Sequence, residues 1–94
     1  MYQCNSTLVH MKDKLIKQLV LTISKCESED ELRDLLKGLL TAAEFNTIAT
    51  RLEIVRMLKS GVSQREIAEQ LQVGIATITR GTREIKLGHF KNIK

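Results

Sequence analysis

The first stretch of the chain with a helical pattern lies between residues 8 and 25. Most of its apolar side chains are three or four residues apart, with lysine and glutamine between them, which is typical of an amphipathic helix. The apolar stripe is broad, so packing against a second copy of the chain is favoured over packing within one chain. Residues 1–7 are polar, and we expect them to be loose. The apolar positions are Leu8, Val9, Met11, Leu15, Ile16, Leu19, Val20 and Ile23.

Two capping boxes predict where the next helices begin. Ser28 is followed three residues later by Glu31, and Thr41 is followed by Glu44. In a capping box the hydroxyl accepts a bond from the third backbone N–H, and the glutamate accepts one from the cap residue's own N–H. The second box begins a long helix that we expect to form the core and to end near Gly61. Its apolar stripe is Phe45, Ile48, Leu52, Val55 and Leu58.

The segment 61–80 has the pattern of two short helices joined by a tight turn. Ser63, with Glu66 three residues later, forms another capping box and predicts a helix over about 64–71. Gly74 opens the second helix. The apolar positions are Ile67, Ala68 and Leu71 in the first helix, and Ile75 and Ile78 in the second.

The outward face of the second helix is small, polar and basic. Threonine can bond to phosphate or to a base edge, and its methyl group can contact thymine. Arginine adds bidentate donors. These features favour a helix-turn-helix whose second helix enters the major groove of double-stranded DNA, although an ordinary helical hairpin is the alternative. The outward residues are Ala76, Thr77, Thr79 and Arg80, and we expect the helix to continue through Gly81 to Lys86.

Composition agrees with a small all-α domain. The chain has 94 residues and no proline, so one domain is expected over 1–94. About 8–60 would form core and dimerisation helices, and 61–86 the helix-turn-helix and its continuation. Residues 1–49 carry six Lys/Arg and seven Asp/Glu, a net charge of −1, whereas residues 50–94 carry nine and four, a net of +5. The basic half contains the helix-turn-helix, which favours a nucleic-acid partner.

The sequence shows no arrangement typical of catalysis or metal binding. Cys4 and Cys26 stand alone, and His10 and His89 have no metal-like spacing to them. We expect reduced cysteines, no catalytic residues, and neither a metal nor a cofactor. The start of the chain lacks a signal-peptide pattern and no apolar run reaches a membrane-spanning length, so a cytoplasmic location without a membrane partner is expected.

Four segments together closely resemble the tryptophan repressor family, over about residues 35–86. The family is itself a reference example of the helix-turn-helix, so its docking geometry comes from the resemblance and not from the spacing. The resemblance implies an intertwined, all-helical homodimer that represses genes for tryptophan biosynthesis or uptake, with a double-stranded DNA operator and L-tryptophan as corepressor. The segments are Leu39-Leu40-Thr41, Thr50-Arg51, Ser63-Gln64-Arg65-Glu66 and Gly74-Ile75-Ala76-Thr77-Ile78-Thr79-Arg80-Gly81.

The resemblance also implies a site for L-tryptophan. Arg51 and Arg80 would sandwich the indole ring, and Arg80 would also hold the carboxylate. Backbone carbonyls of the partner subunit would receive the ammonium group, and Gly81 would leave room for the ring. The implied ligand-binding positions are Gly38, Leu40, Thr41, Arg51, Val55, Arg80, Gly81 and Glu84, the first two as the partner subunit's carbonyls.

The same resemblance implies two sets of DNA contacts. Those at or near base edges fall at Arg65, Ile75, Ala76, Thr77 and Arg80. Those to phosphates fall at Thr50, Arg51, Gln64, Thr79 and Lys86.

Two departures from the family pattern leave alternatives open. Glu84 stands where the family carries a small hydroxyl residue, and it could pair with the ligand's ammonium, turn to solvent or pair with Arg80. The second departure is the short end of the chain. Only eight residues follow Lys86, and we expect this basic tail to fray. The alternatives are a repressor-like protein of the same fold with a different ligand or none, and an interaction or sigma-like module without an operator of its own.

Overall fold

The computed structural model describes the backbone of residues 2–94 and the side chains of residues 8–94. Those residues form five α-helices, as the sequence predicts for an all-α fold. The chain divides into two compact units, one that ends at Leu40 and one that spans Thr41–Lys94. No helix in the described part of the chain is long and apolar enough to cross a membrane. The helices are α1 (Tyr2–Ser24), α2 (Glu29–Leu39), α3 (Ala42–Lys59), α4 (Gln64–Leu71) and α5 (Ile75–Lys86).

The first unit contains α1 and α2. Helix α1 begins at Tyr2, ahead of the start near Leu8 that the apolar pattern predicts, in a segment with neither proline nor glycine to end a helix. The expectation that residues 1–7 are loose falls on residues whose side chains lie outside the described part of the chain, and it stays a prediction. Eight large apolar side chains of α1, between Leu8 and Leu21, are exposed, and α2 has no buried residue. The prediction of a single domain over 1–94 stays a prediction.

Hydroxyl side chains cap three of the helices, as predicted. The Oγ atoms of Ser28, Thr41 and Ser63 accept bonds from the third backbone N–H of α2, α3 and α4 at 3.1–3.2 Å. The capping box at Thr41 is complete, since its N–H donates to Glu44 Oε1 at 2.8 Å. These bonds lower the pKa of Glu44 below its ordinary value, the backbone N–H of Thr41 contributing most and the Thr41 side chain next.

The Glu31 carboxylate accepts a different hydrogen bond from the one that a capping box predicts. It accepts from the N–H of Glu27 at 3.2 Å, one residue before the cap. The start of α2 is nevertheless capped by the Ser28 hydroxyl.

The core of the second unit takes one buried isoleucine from each of α3, α4 and α5. Ile54, Ile67 and Ile78 are packed together and almost completely inaccessible to solvent. The stripe predicted for α3 is therefore only partly its core face, because Ile48 and Leu52 stay 49% and 38% exposed. The residues of α3 that pack in this cluster come from the C-terminal half of the helix. The N-terminal half of the predicted α3 stripe is therefore not covered within this unit. The other residues packed on the cluster are Met57, Leu58, Val62, Ala68, Leu71 and Val73.

Two backbone turns set the directions of α4 and α5. Gly61 follows α3 with φ +90°, a conformation that glycine adopts without a Cβ clash, and the chain reverses into α4. Gln72 ends α4 in the left-handed region with φ 54°, and Gly74 then caps α5. The helices on either side have the predicted bounds, so the helix-turn-helix prediction is confirmed at the level of the fold.

The tail after α5 is folded, so the prediction that it frays is wrong. The chain turns at Gly88, and the N–H of His89 donates to the Glu84 carbonyl at 3.1 Å. The ammonium group of Lys59, at the end of α3, donates to the carbonyl oxygens of Phe90 and Ile93. One lysine thus holds the tail against α3 by hydrogen bonds to backbone carbonyls. The sequence pattern of the tail does not reveal this interaction.

Candidate functional site

The second helix of the helix-turn-helix is anchored by one side chain and leaves the rest of its first turns exposed. Ile78 is completely buried, whereas Ile75, three residues earlier, is 51% exposed, so the predicted apolar face of α5 rests on Ile78 at this end. Gln64 Nε2 donates to Thr82 Oγ1 at 3.0 Å, which ties the start of α4 to the middle of α5. The exposed residues of α5 are Ile75, Ala76, Thr77, Thr79, Arg80, Arg83 and Lys86.

The positions predicted to contact DNA are mostly accessible in this unit. Thr50 and Gln64 are half-buried, and the amide of Gln64 is engaged with Thr82. Arg65 Nε lies 3.6 Å from Glu69 Oε1, but both side chains are so exposed that this ion pair holds the arginine weakly. The remaining predicted positions are exposed: Arg51, Ile75, Ala76, Thr77, Thr79, Arg80 and Lys86. Their contacts with DNA stay a prediction.

A cavity of about 590 Å³ lies between α3 and α5, behind the exposed face of the second helix. Its volume falls within the range of about 300–1,000 Å³ that is usual for sites that bind small molecules. Most of its lining is apolar, with two cations and one anion among it. The lining residues are Ile48, Arg51, Leu52, Ile54, Val55, Ala76, Thr77, Arg80, Gly81, Glu84 and Phe90.

The cavity brings together five of the eight positions that the resemblance assigned to the ligand. These are Arg51, Val55, Arg80, Gly81 and Glu84. The others lie elsewhere: Thr41 caps α3 with its hydroxyl and is not in the lining, and Gly38 and Leu40 belong to the first unit. Their proposed carbonyl contacts would come from a partner subunit, so those roles stay predictions.

The charged groups of the cavity are arranged so that both guanidinium groups are available. Within residues 8–94, neither Arg51 nor Arg80 lies within ion-pair distance of a carboxylate. The Glu84 carboxylate instead lies 3.5 Å from His89 Nε2, in the tail. One of the alternatives left open for Glu84 was an ion pair with Arg80, and the structure does not contain that pair. A ligand carboxylate would meet two unpaired cations against an apolar wall.

Gly81 lies where α5 packs against Ile54 and Leu58 of α3. A Cβ atom built on Gly81 would lie 3.4 Å from Ile54 Cγ2 and 3.4 Å from Leu58 Cδ1, which is ordinary van der Waals contact. Glycine at this position therefore leaves open a volume that a methyl group could occupy without a clash. That Gly81 leaves room for the ligand's ring stays a prediction.

Four lining residues were assigned neither to the ligand nor to DNA from the sequence. Ile48 and Leu52 were predicted as core, and they extend the predicted stripe into the cavity. Ile54 was outside that stripe. Phe90, 37% exposed, was placed in a tail expected to fray. The available signal was its chemistry, because it is the one phenylalanine in the basic end of the chain, 86–94.

A smaller polar groove of about 290 Å³ adjoins the cavity. Arg51 and Thr77 line both spaces, so these two side chains stand between them. Three threonine hydroxyl groups and one guanidinium group border the groove, and such groups are usual partners of phosphate oxygens. The groove residues are Asn46, Thr47, Thr50, Arg51, Val73 and Thr77.

Comparisons with known proteins agree on one group of relatives. Residues 14–92 match the family model described as Trp repressor protein. A Trp operon repressor homolog of Vibrio vulnificus is 44% identical over 72 residues, which cover 74% of this chain and 71% of the relative. A protein of the same description from Chlamydia trachomatis is 44% identical over 71 residues, 73% of this chain and 76% of the relative. The match to the family model includes the helix-turn-helix and every residue of the cavity lining.

Proposed function

Because this chain belongs to the Trp repressor family and is a regulator of transcription of that type, we propose that L-tryptophan is its corepressor. The protein binds a DNA operator as a homodimer when the amino acid occupies the cavity between α3 and α5. The genes it represses are those for tryptophan biosynthesis or uptake. It has no catalytic role, in keeping with a family of regulators.

The observation that carries the proposal is the composition of the cavity. Two unpaired guanidinium groups, from Arg51 and Arg80, border a space whose other walls are largely aliphatic or aromatic. A planar guanidinium can stack on an electron-rich indole face and can also bond a carboxylate. The ligand that uses all of these features is an aromatic amino acid with a free carboxylate.

The binding energy expected from the ring and the carboxylate corresponds to a ligand weaker than micromolar, since a micromolar dissociation constant requires about 8 kcal/mol. Burying roughly 200 Å² of indole at about 25 cal/mol per Å² gives a gross term of about 5 kcal/mol. Immobilising the ligand and the side chains around it subtracts several kcal/mol on the usual scale for association. Charge-assisted bonds from the arginines to the carboxylate offset about 2 kcal/mol of that loss.

The position of the cavity links ligand binding to DNA binding. Its lining includes Ala76, Thr77 and Arg80, which lie on the first turns of α5, together with residues of α3. A ligand that fills the space therefore contacts both helices, and it stabilises the orientation of α5 in which those contacts are made. Since a ligand shifts an equilibrium only by its differential affinity for the two states, an orientation that fits the major groove becomes more populated.

The apolar surface of α1 supports the homodimer. Leu15, Ile16 and Val20 are each more than half exposed, which is unusual for large aliphatic side chains that recur along one helix. Each such side chain contributes about 1.5–3 kcal/mol when it is fully buried, so a second copy of the chain gains much by covering them. A two-fold dimer would place two copies of α5 on successive grooves, as family members do.

The direct test is operator affinity measured while L-tryptophan is titrated. We expect a labelled palindromic operator to be bound at least tenfold more tightly at saturating L-tryptophan, with unrelated DNA as competitor and the salt concentration fixed. Calorimetry on the protein alone gives the affinity for the amino acid.

Two results would contradict the proposal in different ways. Tight operator binding that tryptophan does not change would favour a repressor of the same fold with another ligand or none, the alternative that Glu84 motivates. Weak binding that does not discriminate between operator and competitor would favour an interaction module.

A further inference from the structure

The backbone of Phe90, in the tail after α5, has a conformation that is unusual for a large side chain. Among the described residues other than glycine, only Gln72 and Phe90 have φ in the left-handed region, at 54° and 63°. Gln72 ends α4 and forms part of the turn of the helix-turn-helix. A bulky residue adopts such a φ only where the surrounding structure enforces it, and such positions cluster at binding sites. Phe90 is therefore held in place by other groups.

Lys59 provides the contacts that hold this conformation. Its ammonium group donates to the carbonyl oxygens of Phe90 and Ile93, and the N–H of Ile93 donates to the Phe90 carbonyl at 3.2 Å. The Phe90 carbonyl thus accepts two bonds, the number that its two lone pairs allow. Within residues 8–94 no carboxylate lies within ion-pair distance of Lys59, so the tail carbonyls are the acceptors of its ammonium group there.

Lys59 lies on the face of α3 that lines the cavity. Ile48, Leu52 and Val55 belong to the lining, and Lys59 follows Val55 by four residues. Positions three or four residues apart lie on one side of a helix, so these four side chains form one row along α3. The ammonium group at the end of this row therefore holds the tail next to the cavity.

The side chain of Phe90 contributes to the cavity itself. Of the described residues that line the cavity, Phe90 alone is aromatic. The His89 ring packs edge-on against it, with ring centroids 6.4 Å apart and planes at 68°, a usual arrangement for two aromatic rings. His89 Nε2 in turn lies 3.5 Å from the carboxylate of Glu84 on α5. Both the backbone and the ring of Phe90 therefore have contacts that keep the ring beside the cavity.

We propose that Lys59 is a positioning residue of the ligand site, which acts by holding the ring of Phe90 as one wall of the cavity. This inference rests on the proposed function, because the ligand concerned is the aromatic amino acid bound between α3 and α5. Lys59 does not line the cavity, so its effect on affinity passes through Phe90. The ring of Phe90 packs against the ring of the ligand, and aromatic pairs contribute beyond the area that they bury.

The test is a double-mutant cycle on Lys59 and Phe90, with the affinity for L-tryptophan as the readout. The chain contains no tryptophan, so the indole emission of the ligand reports binding directly. We expect Lys59→Met and Phe90→Ala each to weaken L-tryptophan about fivefold, the effect of losing one aromatic contact. The double variant should also bind about fivefold more weakly, whereas two independent effects would multiply to about 25-fold.

Two further variants separate positioning from a general loss of charge. Lys59→Arg keeps a cation with several donors, so it should bind L-tryptophan within about twofold of the wild type. Arg56→Met is the matched control, since Arg56 is an exposed cation in the same last turn of α3 and does not line the cavity. It removes the same charge from the end of the helix and should also leave the affinity within about twofold.

Thermal unfolding of each variant at one protein concentration shows whether it is folded at the temperature of the titration. If Lys59→Met is unfolded there, Lys59→Gln, which keeps a polar head, takes its place in the cycle.

The outcomes separate the positioning role from the proposed function. If the wild type binds L-tryptophan and the Lys59 variant binds it equally well, or if the double variant shows the multiplied loss, the positioning role is refuted and the proposed function stands. A loss that Arg56→Met shares, or that Lys59→Arg does not reverse, refutes the positioning role as well. If the wild type does not bind L-tryptophan, the proposed function fails, and the role of Lys59 fails with it. Equal losses in the two single variants and the double variant, with binding kept in Lys59→Arg, support both.

Discussion

Replacing Gly81 by alanine should make the protein more stable and the ligand weaker at the same time. Gly81 lies inside α5, where alanine is favoured over glycine by about 1 kcal/mol. The new methyl group would meet side-chain carbons of Ile54 and Leu58 at 3.4 Å, the lower edge of ordinary contact, so we expect the steric cost to be smaller than that gain. For a domain of this size, about 1 kcal/mol corresponds to a rise of roughly 4–8 °C in the melting temperature.

The ligand should respond in the opposite direction. Gly81 lines the cavity, so a methyl group there occupies part of the space in which the indole ring is proposed to lie. Inserting a methyl group into a filled site costs about 1–3 kcal/mol, which corresponds to a loss of about 5- to 150-fold in affinity. Urea unfolding with and without L-tryptophan measures both effects in one experiment, provided that the protein concentration is fixed, because the stability of a dimer depends on it.

Gly61→Ala provides the matched control. Gly61 has no atom near the position of the new Cβ, but its φ of +90° is one that alanine adopts with strain. This variant should lose about 1–2 kcal/mol of stability and keep its affinity for the ligand. The reasoning about Gly81 is refuted if Gly81→Ala unfolds more easily than the wild type, or if it binds L-tryptophan as tightly.

Three further predictions concern single side chains. Phe90→Ala should weaken L-tryptophan about fivefold by calorimetry, because an aromatic contact is worth about 1 kcal/mol; an unchanged affinity would mean that the tail is not a wall of the site. Arg80→Ala should reduce ligand and operator affinity together, whereas Thr77→Ala should reduce operator affinity more than ligand affinity in gel shifts and calorimetry, and equal losses in Thr77→Ala would contradict that division. Glu44 has a pKa lowered in the folded state by the N–H of Thr41, so its contribution to stability is present above the usual carboxyl range and is lost as the pH falls through the lowered value. Glu44→Gln should therefore lessen the fall in unfolding free energy as the pH is lowered into the acid range. An identical pH dependence of the unfolding free energy in both proteins would refute this cause.

The parts of the fold that the sequence predicts well are those fixed by neighbours along the chain. Ser63 caps α4 and Thr41 caps α3 because the hydroxyl and the N–H it bonds are three residues apart, so the pattern contains the whole interaction. The end of α3 is equally local, since Gly61 supplies the left-handed turn that follows it. The bounds of α4 and α5 follow from these signals together with the turn at Gly74.

The parts that escaped prediction depend on residues far apart in the sequence. Lys59 lies more than thirty residues before the carbonyl of Phe90 that accepts its bond, and no periodicity relates the two. The tail after α5, which the sequence predicts to fray, is therefore folded, and it places the ring of Phe90 in the cavity lining. Ile48 shows the same limit for α3, because a helical stripe predicts which side is apolar but not whether a core or a cavity lies against it.

The wall shared by the cavity and the polar groove has a consequence for anyone who redesigns this regulator. Arg51 and Thr77 line both spaces, so a change there that accommodates a new effector also alters two of the positions predicted to contact DNA. Ile48, Leu52 and Phe90 line the cavity alone and are the better positions for a library of altered effector response. Biosensors built by varying those three side chains should respond to new corepressors while they still bind the original operator.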